Sequence, residues 1–505
     1  MSSLSKSQAF AAVAVVVLLL SSTTFILYDK TSQRTPEGLF QEGVKEFERS
    51  NYATASGLLN RSYQMFISAG EREKALQPLD WKLRADRILL EYGLDRSQAE
   101  ELLAETFPWV PEHERNTWLD DPSLEKIVSD GQVRYFGSIA NNIAYRNLTL
   151  YHQWKDHSGP DTLKTMMAAI LDADANRTGT YFNPVNYTAN GVLTMERKDL
   201  PTTGTLAIWI PAPIETASQV NVAVLTAQPN AWIKTTSPAD SDIGQIYLEV
   251  PLDGLTEDVV INVSYSLTVY QKHFTVDPSA VGAYDHSSAD YITYTASHDN
   301  ILITPEIVAE AKAVVGDEKN PYQQAKLLYD YVVGNITYSF MPHITLSALG
   351  IAESEYVRIH RYGDCGAQSI YYSALLRSLG VPARADGGYQ TFGGGTGSHF
   401  WAEFYLPNYG WVPVDVTAAD AMDWITTSAA TDQERALYKQ YYFGNLDHLR
   451  YVIQNDVDVA LSPLPDMPMP ITAAFQNPMA SCPTSDQDVP LMAMMYWDFK
   501  ITAMS

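Results

Sequence analysis

The sequence predicts a multidomain α+β chain: an N-terminal membrane helix, an α-helical domain, a β-sandwich, and a mixed α+β domain toward the C-terminal end. Three observations predict it. Ala9–Tyr28 is an uncharged run; helical apolar periodicity fills about 36–171; and from about 190 the pattern changes to short β-branched and aromatic runs broken by Pro, Gly and Asp, before helices return at Thr304. At 505 residues the chain is two to four times a typical domain of ~100–200 residues, so more than one core is expected. Hydrophobic residues at 46% exclude a disordered chain. The net charge of −25 comes from 34 basic against 59 acidic side chains, with only 18% of residues charged, below the roughly 25% of an average soluble domain. Lys and Arg are therefore scarce. Without a basic patch, nucleic acid is excluded as a partner, because phosphate neutralisation needs clustered cations.

The first element is the apolar run behind Lys6. Its 20 residues match the ~20 that cross a hydrocarbon core as a helix. A cleaved signal peptide carries about 7–15 apolar residues and a small-x-small site, which Leu20-Ser21-Ser22 matches poorly. Residues 1–30 are accordingly expected as a signal-anchor, with a single pass through the cell membrane and the bulk of the chain extracytoplasmic; secretion after signal cleavage is the second reading. Sequons at Asn60, Asn147, Asn176, Asn186, Asn262 and Asn335 agree with export.

Residues 36–180 are expected as a helical domain. Leu39, Phe40, Val44 and Phe47 share one helix face, and Ala53, Leu58, Leu59, Tyr63 and Phe66 a second. Gly43, Phe47, Asn51-Tyr52 and Ala55 resemble tetratricopeptide-type hairpins, although the ~34-residue period does not recur. Packing, or docking of a protein partner, is the role such a domain predicts. Residues 190–280 follow as an antiparallel sandwich, with Val259, Ile261, Val263, Tyr265 and Leu267 alternating as a half-buried strand does. The helix from Thr304 has a Thr N-cap, Pro at the first position and a stop at Gly316, and a second helix spans Pro321–Asn335.

The chemistry lies beyond. Cys365 opens a segment striped by Ile370, Ala374, Leu375 and Leu379 that stops at Gly380, with Pro382 behind it. A thiol at a helix N-terminus meets unpaired N–H groups and the positive end of the dipole, so a lowered pKa and a populated thiolate are expected. Ser398–Leu406 then alternates as a strand, 407–410 reads as a turn, and Trp411–Val416 as the return strand. Opposed residues of an antiparallel pair have a constant index sum. His399 and Asp415 oppose one another if the hairpin is centred on residue 407, whereas a plain four-residue loop at 407–410 puts Asp415 opposite Ala402. The desired pairing therefore needs a shorter loop or a bulge. Given it, Asp415 accepts from one His399 nitrogen and the other faces the thiol, giving a nucleophile, a base and an orienter.

These residues resemble the catalytic core of the transglutaminase-like superfamily. The resemblance rests on the Gly363-Asp-Cys365 helix start, Leu376-Arg-Ser-Leu-Gly-Val-Pro-Ala-Arg384, His399-x-Trp401-x-Glu403, and Gly410-Trp-Val-Pro-Val-Asp415-x-Thr417, in that order. It implies a transglutaminase-like α+β catalytic domain over 285–455, a triad of Cys365, His399 and Asp415, and acyl transfer from peptide or protein carboxamides through a thioester, to water or to an amine. The Cys365 N–H would be one oxyanion donor, with Tyr338 and Tyr362 as candidates for a second. Trp401 and Trp411 are candidate walls that packing explains equally well, Asp364 is expected as a helix cap, and Gly393–Gly397 as a lip over the site. A papain-type enzyme shares the roles, but its His lies about 130–150 residues after its Cys, against 34 here.

No cofactor or metal is expected. Asp172-Ala-Asp174-Ala-Asn176 begins like a calcium loop, but Arg177 stands where glycine is required. Residues 456–505 are expected as a C-terminal extension, whose Cys482 has no assigned role. The competing function is a non-catalytic surface binding or assembly protein that works through its helical domain.

Overall fold

The computed structural model describes residues 35–155, 161–392, 395–425, 428–465, 473–482, 493–494 and 496–504. The expected N-terminal membrane segment lies outside the described residues, and among these no helix is long and apolar enough to cross a membrane. At the N-terminal end, helix α1 (Pro36–Glu48) begins behind Thr35, whose hydroxyl accepts the Gly38 N–H, and α2 (Tyr52–Ser68) follows a short turn. The two approach so closely at Gly43 that a Cβ there would stand 2.6 Å from Leu59 Cγ, below any tolerated contact. Glycine lets the helices meet and bury Leu39, Phe47, Leu59 and Phe66.

The expected helical domain at 36–180 is not one body. Of the described residues, 35–89 with Val128–Gln132 form one compact unit, and Leu90–Ile127 with those from Val133 onward form a second. Hydrogen bonds account for the division. Asp130 accepts the Ala53 and Thr54 N–H groups at 2.9 and 3.1 Å, which ties 128–132 to the open start of α2. Asn142, on α3 (Ile139–Arg146), bonds the Phe340 backbone in both directions at 3.1 and 2.8 Å and so belongs to the larger unit. Helical periodicity reports that these helices exist, but not which core each one faces.

In the larger unit, one sandwich sheet runs β3–β6–β1–β12: β1 (Tyr181–Met195) pairs β6 (Val259–His273), β6 also pairs β3 (Gln219–Gln228), and β12 (Trp497–Ala503) covers the other edge of β1. The second sheet orders β11 (Met479–Ser481), β2 (Thr205–Pro211), β5 (Gln245–Pro251) and β4 (Ile233–Thr236). Leu193, Ile208, Leu248, Ile261 and Tyr265 fill the space between them. The segment read as a C-terminal extension thus supplies an edge strand to each sheet. Trp497-Asp-Phe-Lys-Ile501 alternates too briefly to announce a strand, and its pairing with β1 spans some three hundred residues of sequence, which local patterning does not see.

The third sheet orders β9 (Gly410–Val414), β8 (Gly397–Leu406), β7 (Ala383–Gln390) and β10 (Arg450–Gln454). Against one face lies helix α4 (Cys365–Ser378), buried along nearly its whole length. Phe400, Ala402, Phe404 and Leu406 point into that helical core with Ile370, Ala374 and Leu375. Tyr389 and Tyr451 point instead into the sandwich core. The sheet is thus covered on both faces, by the helical core on one side and the sandwich core on the other.

Candidate active site

Cys365 is the first residue of α4. Asp364 caps that helix, accepting the Ala367 N–H at 3.2 Å, as expected of it. Cys365 remains partly exposed, and the N–H of Phe400, next to His399, bonds its sulfur. The expected lowering of the thiol pKa is overturned. Burial, and secondarily the Asp364 carboxylate, push it up, and the hydrogen bonds from Phe400 and Gly366 offset only part of this. A helix terminus acts over one turn, and at Cys365 burial outweighs it. Cys365 therefore rests as the protonated thiol and needs a base.

His399 and Asp415 do meet, by a route neither expected register describes. Leu406 pairs Gly410 and Ala402 pairs Val414, so the hairpin is centred on residue 408 with a three-residue turn, Pro407-Asn408-Tyr409. Asn408 at φ 74° and Gly410 at φ 89° supply the left-handed backbone that such a turn requires. Asp415 lies one residue beyond the strand and diagonal to His399 on the same face. Its Oδ2 stands 2.8 Å from His399 Nε2.

Two further charges complete the arrangement. Arg450 Nη1 donates to the same Asp415 oxygen at 2.5 Å, while its Nε and Nη2 donate to Asp447 at 3.1 and 2.7 Å. The other Asp415 oxygen accepts the Ala418 N–H at 2.7 Å. Burial alone would raise the Asp415 pKa, but His399 and Arg450 outweigh it and bring it to about 2. On the far side of the cysteine, His343 Nε2 lies 2.5 Å from Asp364 and Nδ1 lies 2.7 Å from Glu353. Burial opposes a charge on His343, but the two carboxylates prevail and hold it well above its ordinary value. With both ring nitrogens donating, His343 is an imidazolium, and it balances part of the negative charge that raises the thiol.

Sequence reasoning missed Arg450, His343 and Glu353. No local pattern marks His343, whose partners lie 10 and 21 positions away. Arg450 stands 35 positions from Asp415, beyond the reach of any local pattern.

Of the oxyanion candidates, Tyr338 lies near enough to Cys365 for their charges to interact, whereas the Tyr362 hydroxyl faces Tyr356 at 3.3 Å and its ring lies under Arg146. Tyr338 also belongs to an aromatic wall with Tyr145 and Trp424, at centroid separations of 4.8 and 4.9 Å. Trp401 is buried, 6.2 Å from the His399 ring, while Trp411 is half-buried and stacks on Arg384 at 4.2 Å. Within the expected lip, Gly393 and Gly394 lie outside the described residues, and Thr396 accepts the Ile501 N–H at 2.9 Å. In the segment that begins like a calcium loop, Asp174 pairs with His273 and Arg177. Among the described residues no cluster of His, Cys, Asp and Glu could hold a metal.

Residues 309–416 match the model of the transglutaminase-like superfamily. An uncharacterized protein of Haemophilus influenzae is 26% identical over 180 residues, covering 30% of this chain and 47% of that protein, so the chain spans about half of its length. Among solved structures, a proposed cysteine protease from Cytophaga hutchinsonii superimposes with a TM-score of 0.39 at 15% identity, covering 64% of this chain and 93% of that one. The periplasmic domain of TgpA from Pseudomonas aeruginosa gives 0.23 at 14%, covering 51% and 95%. Superpositions this shallow carry no weight for the chemistry.

Proposed function

With residues 309–416 belonging to the transglutaminase-like superfamily, we propose that the chain is an extracytoplasmic, membrane-anchored cysteine enzyme that transfers acyl groups from peptide or protein carboxamides through a thioester on Cys365. The observation that carries the reading is the His399–Asp415 hydrogen bond at 2.8 Å beside a helix that begins with a cysteine.

In this reading Asp415, kept ionised by Arg450, holds His399 Nε2 as the donor, so that Nδ1 is free to take the thiol proton. A rested thiol suits this order of events, since the proton leaves as the nucleophile attacks. The thiolate adds to the carbonyl carbon, and the oxyanion forms beside the Cys365 N–H. His399 returns the proton to the departing amine as the C–N bond breaks. Water or an amine then attacks the thioester, with His399 again taking the proton. The Tyr145–Tyr338–Trp424 wall supplies an apolar flank to the site.

The test is intact-protein mass spectrometry after mixing with an activated peptide ester. An acyl adduct on Cys365 that hydroxylamine removes is expected in wild type, and none in Cys365→Ala. An adduct on another residue, or none in wild type, rejects the proposal.

A further inference from the structure

Behind Trp401, on the sandwich side of the third sheet, lies a cavity of about 380 Å³, within the range of small-ligand sites. Its wall is built by cross-strand pairs. Arg384 opposes Glu403 and Asp386 opposes Trp401 between β7 and β8, and Lys272 reaches in from β6. Glu403 is saturated: Lys272 Nζ lies 2.5 Å from one oxygen, and Arg384 bonds the other at 2.6 and 3.2 Å.

The rest of the wall is not. Three buried polar atoms of lining residues have no hydrogen-bond partner among the described residues: Trp401 Nε1, Asp386 Oδ1 and Asn455 Oδ1. Trp401 and Asp386 are only 1% and 3% exposed. Although they are neighbours in the ladder, their polar atoms do not satisfy one another. A buried group left unpaired costs about 1–3 kcal/mol, so three around one cavity call for a molecule inside it. The set is mixed, an N–H donor beside two cations and two acceptors, so the occupant must offer both an anion and a donor. Burial, and next the Glu403 charge, hold the Asp386 carboxyl well above the usual range, although Arg384 Nε stands 3.4 Å from its Oδ1 as a long ion pair.

We propose that this cavity binds an α-amino acid as its zwitterion, the carboxylate facing Lys272, Arg384 and the Trp401 N–H, and the ammonium facing Asp386 and the Asn455 carbonyl. Trp411, stacked on Arg384, flanks the side-chain end. The site is separate from Cys365 and does not depend on the cysteine chemistry.

Calorimetric titration of the full chain with L-phenylalanine tests it. Saturable binding is expected, equal in wild type and Cys365→Ser. 3-Phenylpropionate, which lacks the ammonium, and phenylalaninamide, which lacks the carboxylate, should each bind roughly tenfold more weakly or worse. Asn455→Ala, a half-buried rim position, should weaken L-phenylalanine by about tenfold while leaving the circular dichroism spectrum intact. No saturable binding, equal binding of either one-ended analogue, or unchanged affinity in Asn455→Ala would overturn the proposal and leave a water-filled cavity.

Discussion

Cys365 and His399 were legible in the sequence because their signals are local: a cysteine at a helix start with a glycine stop behind it, and a histidine on an alternating strand. Asp415 was legible as a residue but not as a geometry, since the turn at 407–409 depends on the backbone that Asn408 and Gly410 adopt. The thiol's electrostatics were read the wrong way round, because burial and the Asp364 charge are tertiary quantities. The same neighbourhood holds a second perturbed acid. Burial, and then Asp423, raise Asp420 to about 7, although it accepts the Tyr338 N–H. The folded chain therefore binds a proton here that the unfolded chain releases near pH 4, so this group lowers stability as pH rises from about 4 to 7. The cost at pH 8 is at most about 4 kcal/mol. Asp420→Asn is expected to raise the melting temperature at pH 8 and leave it unchanged near pH 4. Equal shifts at both pH values would show that the carboxyl does not titrate in this window.

The hairpin and the capped helix announce themselves, but the strand that carries Arg450 does not. β10 joins the sheet through a bulge opposite Gly387 and Gly388, where backbone meets backbone. A Cβ on Gly388 would stand 1.8 Å from the Tyr451 carbonyl oxygen, and a backbone atom cannot step aside as a flexible side chain can. Gly388→Ala should therefore displace β10, with it the Arg450 clamp on Asp415, and cost about 1–3 kcal/mol. Urea denaturation reads the stability loss, and turnover should fall with it. A variant as stable and active as wild type would mean that the glycine is not needed for that approach. The sandwich shows the same limit. Its central strands alternate visibly, while the edge strands from 479–481 and 497–503 are set by pairing across the chain.

Over the whole molecule, composition argues for a folded chain but does not divide the helices between two compact units, because that division rests on Asp130 and Asn142 bonding distant backbone. The proposed anchor predicts that protease added to intact cells trims the chain between the apolar run and Pro36; full protection would reject the outside-facing topology. The net charge of −25 suits an exported surface that stays soluble. The central claim, that His399 activates Cys365, is tested most directly by alkylation. Cys482 is 1% exposed, so iodoacetamide at neutral pH should report on Cys365. Rapid labelling of Cys365 in wild type, and its loss in His399→Ala with Cys482 protected in both, is the predicted result; equal labelling of Cys365 in the two proteins would contradict it.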